Sequence, residues 1–186
     1  MTKIKLSILI ASSLLIWACG AKGTNGTSGT KANIVSYPET TDGLKRLTED
    51  ILAATKSGDK AKVSLLVKSL QMSDYEAWFN KTFGSGKGAR LSADYKSHLS
   101  DFETGATDIF TKMVAEGKTE VRVSRFDKAG NSEATGAQNQ ALAGMKEPAP
   151  LYSVRMVRPG EDLGMHLWSF IYADGSFRFA GKMPLN

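Results

Sequence analysis

Between Ile34 and the end of the chain the apolar residues change period once, from roughly 3.6 to 2, so the pattern predicts helices first and strands afterwards. Leu44, Leu47, Ile51 and Leu52 form one stripe and predict a helix from Gly43 to Lys56, broken by Ser57-Gly58-Asp59. Val63, Leu66, Val67 and Leu70 predict a second helix from Lys60 to Leu70. Ser73 and Glu76 have the spacing of a capping box, in which hydroxyl and carboxylate each take up a free backbone amide. A third helix is therefore expected to start there, with Tyr75, Trp78, Phe79 and Phe83 on one face and Gly84 at its end. The longest stripe, Leu91, Tyr95, Leu99, Phe102, Ala106, Ile109, Phe110 and Met113, predicts a single helix from Ala89 to Glu116. Gly105 would mark a bend or a close approach within it, and His98 flanks the stripe as amphipathic filler.

Residues 119–126, TEVRVSRF, alternate as a strand does, with Val121 and Val123 turned inward and Arg122 outward. Residues 127–150 hold few large apolar groups and read as a long loop, with a weak strand or helical turn around Gln138 to Met145. A second strand is expected over Leu151 to Val157. Asp174-Gly175 then lies between two strand-like runs, which is the preferred centre of a two-residue hairpin. That turn would pair Ala173 with Ser176, Tyr172 with Phe177, Ile171 with Arg178 and Phe170 with Phe179. Continued down the hairpin, the same register pairs Trp168 with Gly181 and His166 with Met183. Strict alternation then puts Tyr172, Phe177, Phe170, Phe179, Trp168 and His166 on one aromatic face, which the long helix would cover.

Before Ile34 the pattern is different. Lys3 and Lys5 precede an apolar run from Leu6 to Ala18, the layout of an export signal, and about 13 residues fall short of the roughly 20 a membrane-spanning helix needs. Ile16-Trp17-Ala18-Cys19 resembles the lipobox of bacterial lipoproteins. The resemblance implies that residues 1–18 are a cleaved signal peptide and that Cys19 becomes the lipidated first residue of the mature chain. It also implies attachment to a membrane of the cell envelope, with Gly20 in place of a retaining Asp pointing to the outer membrane. Residues 19–33, rich in Gly and Thr and without a large apolar group after the cysteine, read as a tether with a reach on the order of 20 Å. Residues 34–186 are then a single globular domain.

Chemistry is sparse in what remains. Cys19 is the chain's one cysteine, so no intrachain disulfide exists, and lipidation would remove the thiol from catalysis and metal binding. The net charge of +5 includes Lys3 and Lys5 of the leader, and the mild excess left gives no reason to expect nucleic acid as a partner. Gly84-Ser85-Gly86-Lys87-Gly88 fails the phosphate-loop pattern, since Lys81 stands at the first glycine's place and Gly88 follows the lysine. It reads as a flexible connector. With His98 and His166 the only histidines, neither a metal site nor a cofactor site is expected, and no catalytic residue is assigned.

These elements predict an α+β fold of three to four N-terminal helices packed on a curved antiparallel sheet of about four strands. Their order, with the terminal run W-S-F-I-Y-A-D-G-S-F-R-F-A-G, resembles the nuclear-transport-factor-2-like cone fold, with the cystatin-like layout as a rival. That likeness implies a cavity between helix and sheet, for which Phe110, His166, Trp168, Phe170 and Phe179 are the lining candidates. The leading expectation is a lipid-anchored envelope protein with a non-catalytic binding or interaction domain, taking a hydrophobic ligand or an envelope protein. The alternatives are a carrier of a lipid or other hydrophobic molecule, and a small cone-fold enzyme using His166.

Overall fold

The computed structural model describes residues 36–185, so the expected signal peptide, Cys19 and the expected 19–33 tether lie outside the described residues. The fold is α+β. Helix α1 spans Thr41–Ser57, α2 Lys60–Ser69, α3 Tyr75–Phe83, α4 Ser85–Ser97 and α5 Leu99–Ala115. Strand β1 (Glu120–Phe126) and helix α6 (Gly136–Gly144) follow, then β2 (Leu151–Val157), β3 (Gly164–Ala173) and β4 (Ser176–Phe179). The four strands form one antiparallel sheet in chain order.

Local chemistry accounts for most of these boundaries. Thr40 caps α1 by accepting from the Gly43 amide at 3.0 Å, and Gly58 ends it in a left-handed turn. The expected capping box at Ser73 does not form. Helix α3 begins at Tyr75, after Asp74, without a side-chain cap. The box is found instead at α6, where Thr135 accepts from the Gln138 amide at 3.2 Å and Gln138 accepts from the Thr135 amide at 3.1 Å.

Two further expectations are corrected. The segment 84–88 is no connector, because α4 starts at Ser85 directly after Gly84. Gly88 lies so close to α3 that a Cβ there would meet the Asn80 backbone at 2.5 Å, so this one glycine lets the two helices touch. The long 89–116 helix is two helices, α4 and α5, separated at His98. Leu91 and Tyr95 of α4 join one core cluster while Phe110 and Met113 of α5 join another. A single straight helix cannot serve both, so the chain turns between them.

The larger cluster joins α1, α2 and α5 to the sheet face that carries Tyr152, Val154, Met156 and Phe170. The smaller joins α3, α4 and α6 to Leu151 and Ile171, which alternation puts on the opposite face. The second face is thus covered at the end where β2 begins and β3 finishes. Arg178 ties β4 to the α2 terminus by donating to the Ser69 and Gln71 carbonyls.

The hairpin has the four pairs expected of it, from Ala173–Ser176 to Phe170–Phe179. Beyond Phe170 the expected register fails. Phe170 faces Tyr152 on β2 and Trp168 faces Ser153, so Ser169 is an extra residue, a β-bulge, with a left-handed φ of 62°. One inserted residue reverses the alternation. Leu167 and Met165 therefore turn toward the larger cluster, Trp168 and His166 turn to the other face, and neither pairs with Gly181 or Met183.

Candidate functional site

A groove of about 250 Å³ lies between α5 and the sheet. Phe102, Ile109 and Phe110 line it from α5, and Leu167, Phe170 and Phe179 from the strands. The floor is an aromatic set in contact: Phe170 and Phe179 are edge-to-face at 5.1 Å, and Phe102 lies 6.0 Å from Phe179. His98 and Asp101 supply its polar groups.

Gly105 and Ala106 form the part of the wall where α5 carries almost no side chain. A glycine in the interior of a helix costs about 1 kcal/mol relative to alanine. Nothing in the surroundings requires it, since a Cβ at Gly105 would meet no atom within 4 Å and its φ is ordinary for a helix. Gly105 marks no close approach. Its effect is to leave the groove open.

Three of the five lining candidates, Phe110, Phe170 and Phe179, meet in this groove. The Ser169 bulge takes the other two away. His166 and Trp168 line a separate concavity of about 430 Å³ on the opposite face of the sheet, with Arg122, Ser124, Ser153 and Arg155. Burial and the positive charge of Arg155 hold the His166 imidazole below its usual pKa. Among the described residues His166 has no acidic partner within ion-pair distance, and it is not at the mouth of the apolar groove. Arg155 and Ser153 are not legible in the sequence, because strict alternation along β3 points their facing partners, His166 and Trp168, to the opposite face.

Among the described residues, no group of three or more His, Cys, Asp or Glu could hold a metal ion, and no helix is long and apolar enough to cross a membrane. No family model, no curated protein and no solved structure matches the chain.

Proposed function

We propose that the chain is a lipid-anchored protein of the bacterial cell envelope, held through Cys19 and most simply at the outer membrane. Its folded part binds one small apolar group without transforming it. The anchor rests on the leader and the Ile16–Cys19 sequence. The binding role rests on one observation, the open apolar groove at Gly105 and Ala106 in a helix that would be more stable with its glycine replaced. Size favours a binding module over a carrier. At about 250 Å³ the groove is below the roughly 300–1,000 Å³ of sites that enclose whole small molecules, so it suits a ring or a short acyl segment and not an entire lipid.

Two measurements on the protein in cells test this. Metabolic labelling with an alkyne-bearing palmitate is expected to mark the wild-type chain and to be lost in Cys19→Ser. A photoreactive benzoylphenylalanine at position 102 is expected to add the mass of a small molecule on irradiation, and Gly105→Leu, which fills the groove, is expected to abolish the addition. Absence of any adduct overturns the binding role, and an adduct of protein size makes the groove a docking face for another chain.

A further inference from the structure

The bulge that removes His166 and Trp168 from the groove assembles something else. Arg122 on β1 faces Arg155 on β2, and Arg155 faces His166 on β3, so three basic side chains cross the sheet in one row. Beside it runs a second row, Ser124, Ser153 and Trp168, paired in the same way. Like charges directly opposite each other on neighbouring strands are unfavourable. Arg122 is relieved by Glu120 at 2.8 Å and Asp162 at 2.6 Å. Arg155 is not: among the described residues no carboxylate lies within ion-pair distance of it, and its one hydrogen bond is a long 3.5 Å contact to the Asp162 carbonyl. Among the described residues the only carboxylate lining the concavity is that of Glu133, which is exposed.

The neutral row is arranged to donate. Gln138, 1% exposed and fixed by the α6 capping box, donates from Nε2 to Ser153 Oγ at 3.0 Å. With its oxygen occupied as acceptor, the Ser153 hydroxyl keeps its hydrogen for something in the concavity. A guanidinium fork, two serine hydroxyls and an imidazole offer more donors than the two oxygens of a carboxylate can take, and they match the three or four oxygens of a phosphate. The volume of about 430 Å³ leaves room for an organic remainder beside it.

We infer that this outer-face concavity is a binding site for a small organic phosphate, with Arg155 as its principal ligand and Ser124, Ser153 and His166 completing the contact. The site is on the opposite face from the apolar groove and does not depend on it.

The test is a titration of the full chain in dodecyl maltoside micelles, followed by phosphorus NMR. The probes are inorganic phosphate, glycerol 1-phosphate and the water-soluble dihexanoyl phosphatidylglycerol, with acetate tested as a competitor. Saturable binding of glycerol 1-phosphate is expected, weakened about tenfold or more by Arg155→Gln, as loss of a charge-assisted contact predicts. Ser124→Ala is expected to weaken it less, and Lys128→Gln, at an exposed residue outside the concavity, to leave it unchanged. Tighter binding of the phosphatidylglycerol than of glycerol 1-phosphate assigns the site to a lipid headgroup, and the reverse assigns it to a free metabolite. Absence of saturation below roughly 10 mM, equal binding by Arg155→Gln and wild type with matching thermal unfolding, or displacement by equimolar acetate overturns the proposal. Should Arg155→Gln fail to fold, unchanged affinity in a folded Ser124→Ala, Ser153→Ala double variant overturns it equally.

Discussion

Ser169 accepts the Ala180 amide on its carbonyl at 2.8 Å from a backbone turned to φ 62°, and this one contact carries the hairpin past its bulge. A residue with a Cβ at such a φ is strained by roughly 1–2 kcal/mol, a cost glycine does not bear. Ser169→Gly is expected to raise stability by about 0.5–1 kcal/mol, and the branched Ser169→Val to lower it by about 2 kcal/mol. Thermal or urea unfolding of the variants checks this. Equal stabilities would mean the bulge is relaxed.

Gly86, Gly88 and Gly105 all lie in helices, and their surroundings separate them. A Cβ at Gly88 would press on the Asn80 backbone, so Gly88→Ala is expected to cost about 1–3 kcal/mol. A Cβ at Gly86 or Gly105 meets nothing within 4 Å, so alanine at either is expected to stabilise, by up to about 1 kcal/mol at Gly105. Only Gly105→Ala should also reduce capture in the groove, which separates a functional glycine from a structural one.

Tyr152 is fully buried, and its hydroxyl has no hydrogen-bond partner among the described residues. Its ring is edge-on to Phe177 at 5.3 Å, and the Arg125 guanidinium lies 5.6 Å above it, contacts that phenylalanine keeps. Tyr152→Phe is therefore expected to be neutral or to stabilise by about 1 kcal/mol. Tyr37 is the contrast, since its hydroxyl donates to Asp50 at 2.7 Å, and burial with that carboxylate raises its pKa well above the ordinary value. Tyr37→Phe is expected to lose about 1 kcal/mol or more, and urea unfolding of the pair compares them.

Elements whose boundaries rest on local chemistry were legible in the residues. The stripes gave α1 and α2, alternation gave β1 to within one residue, and Asp174-Gly175 gave four pairs of the hairpin. Phe110, Phe170 and Phe179 of the groove were legible for the same reason. The break at His98 was not, because the apolar period runs through it and neither Gly nor Pro marks it; only the existence of two cores requires it. The Ser169 bulge was invisible too, since serine carries no strong signal for a left-handed backbone. The row of Arg122, Arg155 and His166 vanished with it, being visible only when β3 is counted with one residue more. One further signal is in the sequence: Thr135-Gly136-Ala137-Gln138 has the capping-box spacing and starts the helix that holds Gln138 under Ser153.

His166 makes the stability of the fold depend on pH in a defined direction. Burial and, after it, the charge of Arg155 on β2 depress its pKa in the folded chain. Arg122 on β1 and Glu133 before α6 are the other charged groups lining the concavity. The unfolded chain takes up a proton near the ordinary histidine value of about 6.5, while the folded chain resists it, so acidification favours unfolding. The full contribution is present above that value and is lost as pH falls toward the depressed folded pKa. Glu103, Glu116 and Glu120 have carboxyls held below the usual range by the Ser64 hydroxyl, Lys118 and Arg122, so their stabilisation is lost only in the lower window beneath the ordinary glutamate value. Wild-type stability is thus expected to decline from about pH 7 to pH 5, and His166→Gln to decline less over the same interval. Glycerol 1-phosphate, bound beside the imidazole, supplies the missing negative charge and should flatten the wild-type curve more than that of Arg155→Gln at the same concentration. Parallel curves for wild type and His166→Gln in urea unfolding at stepped pH would remove His166 from this role.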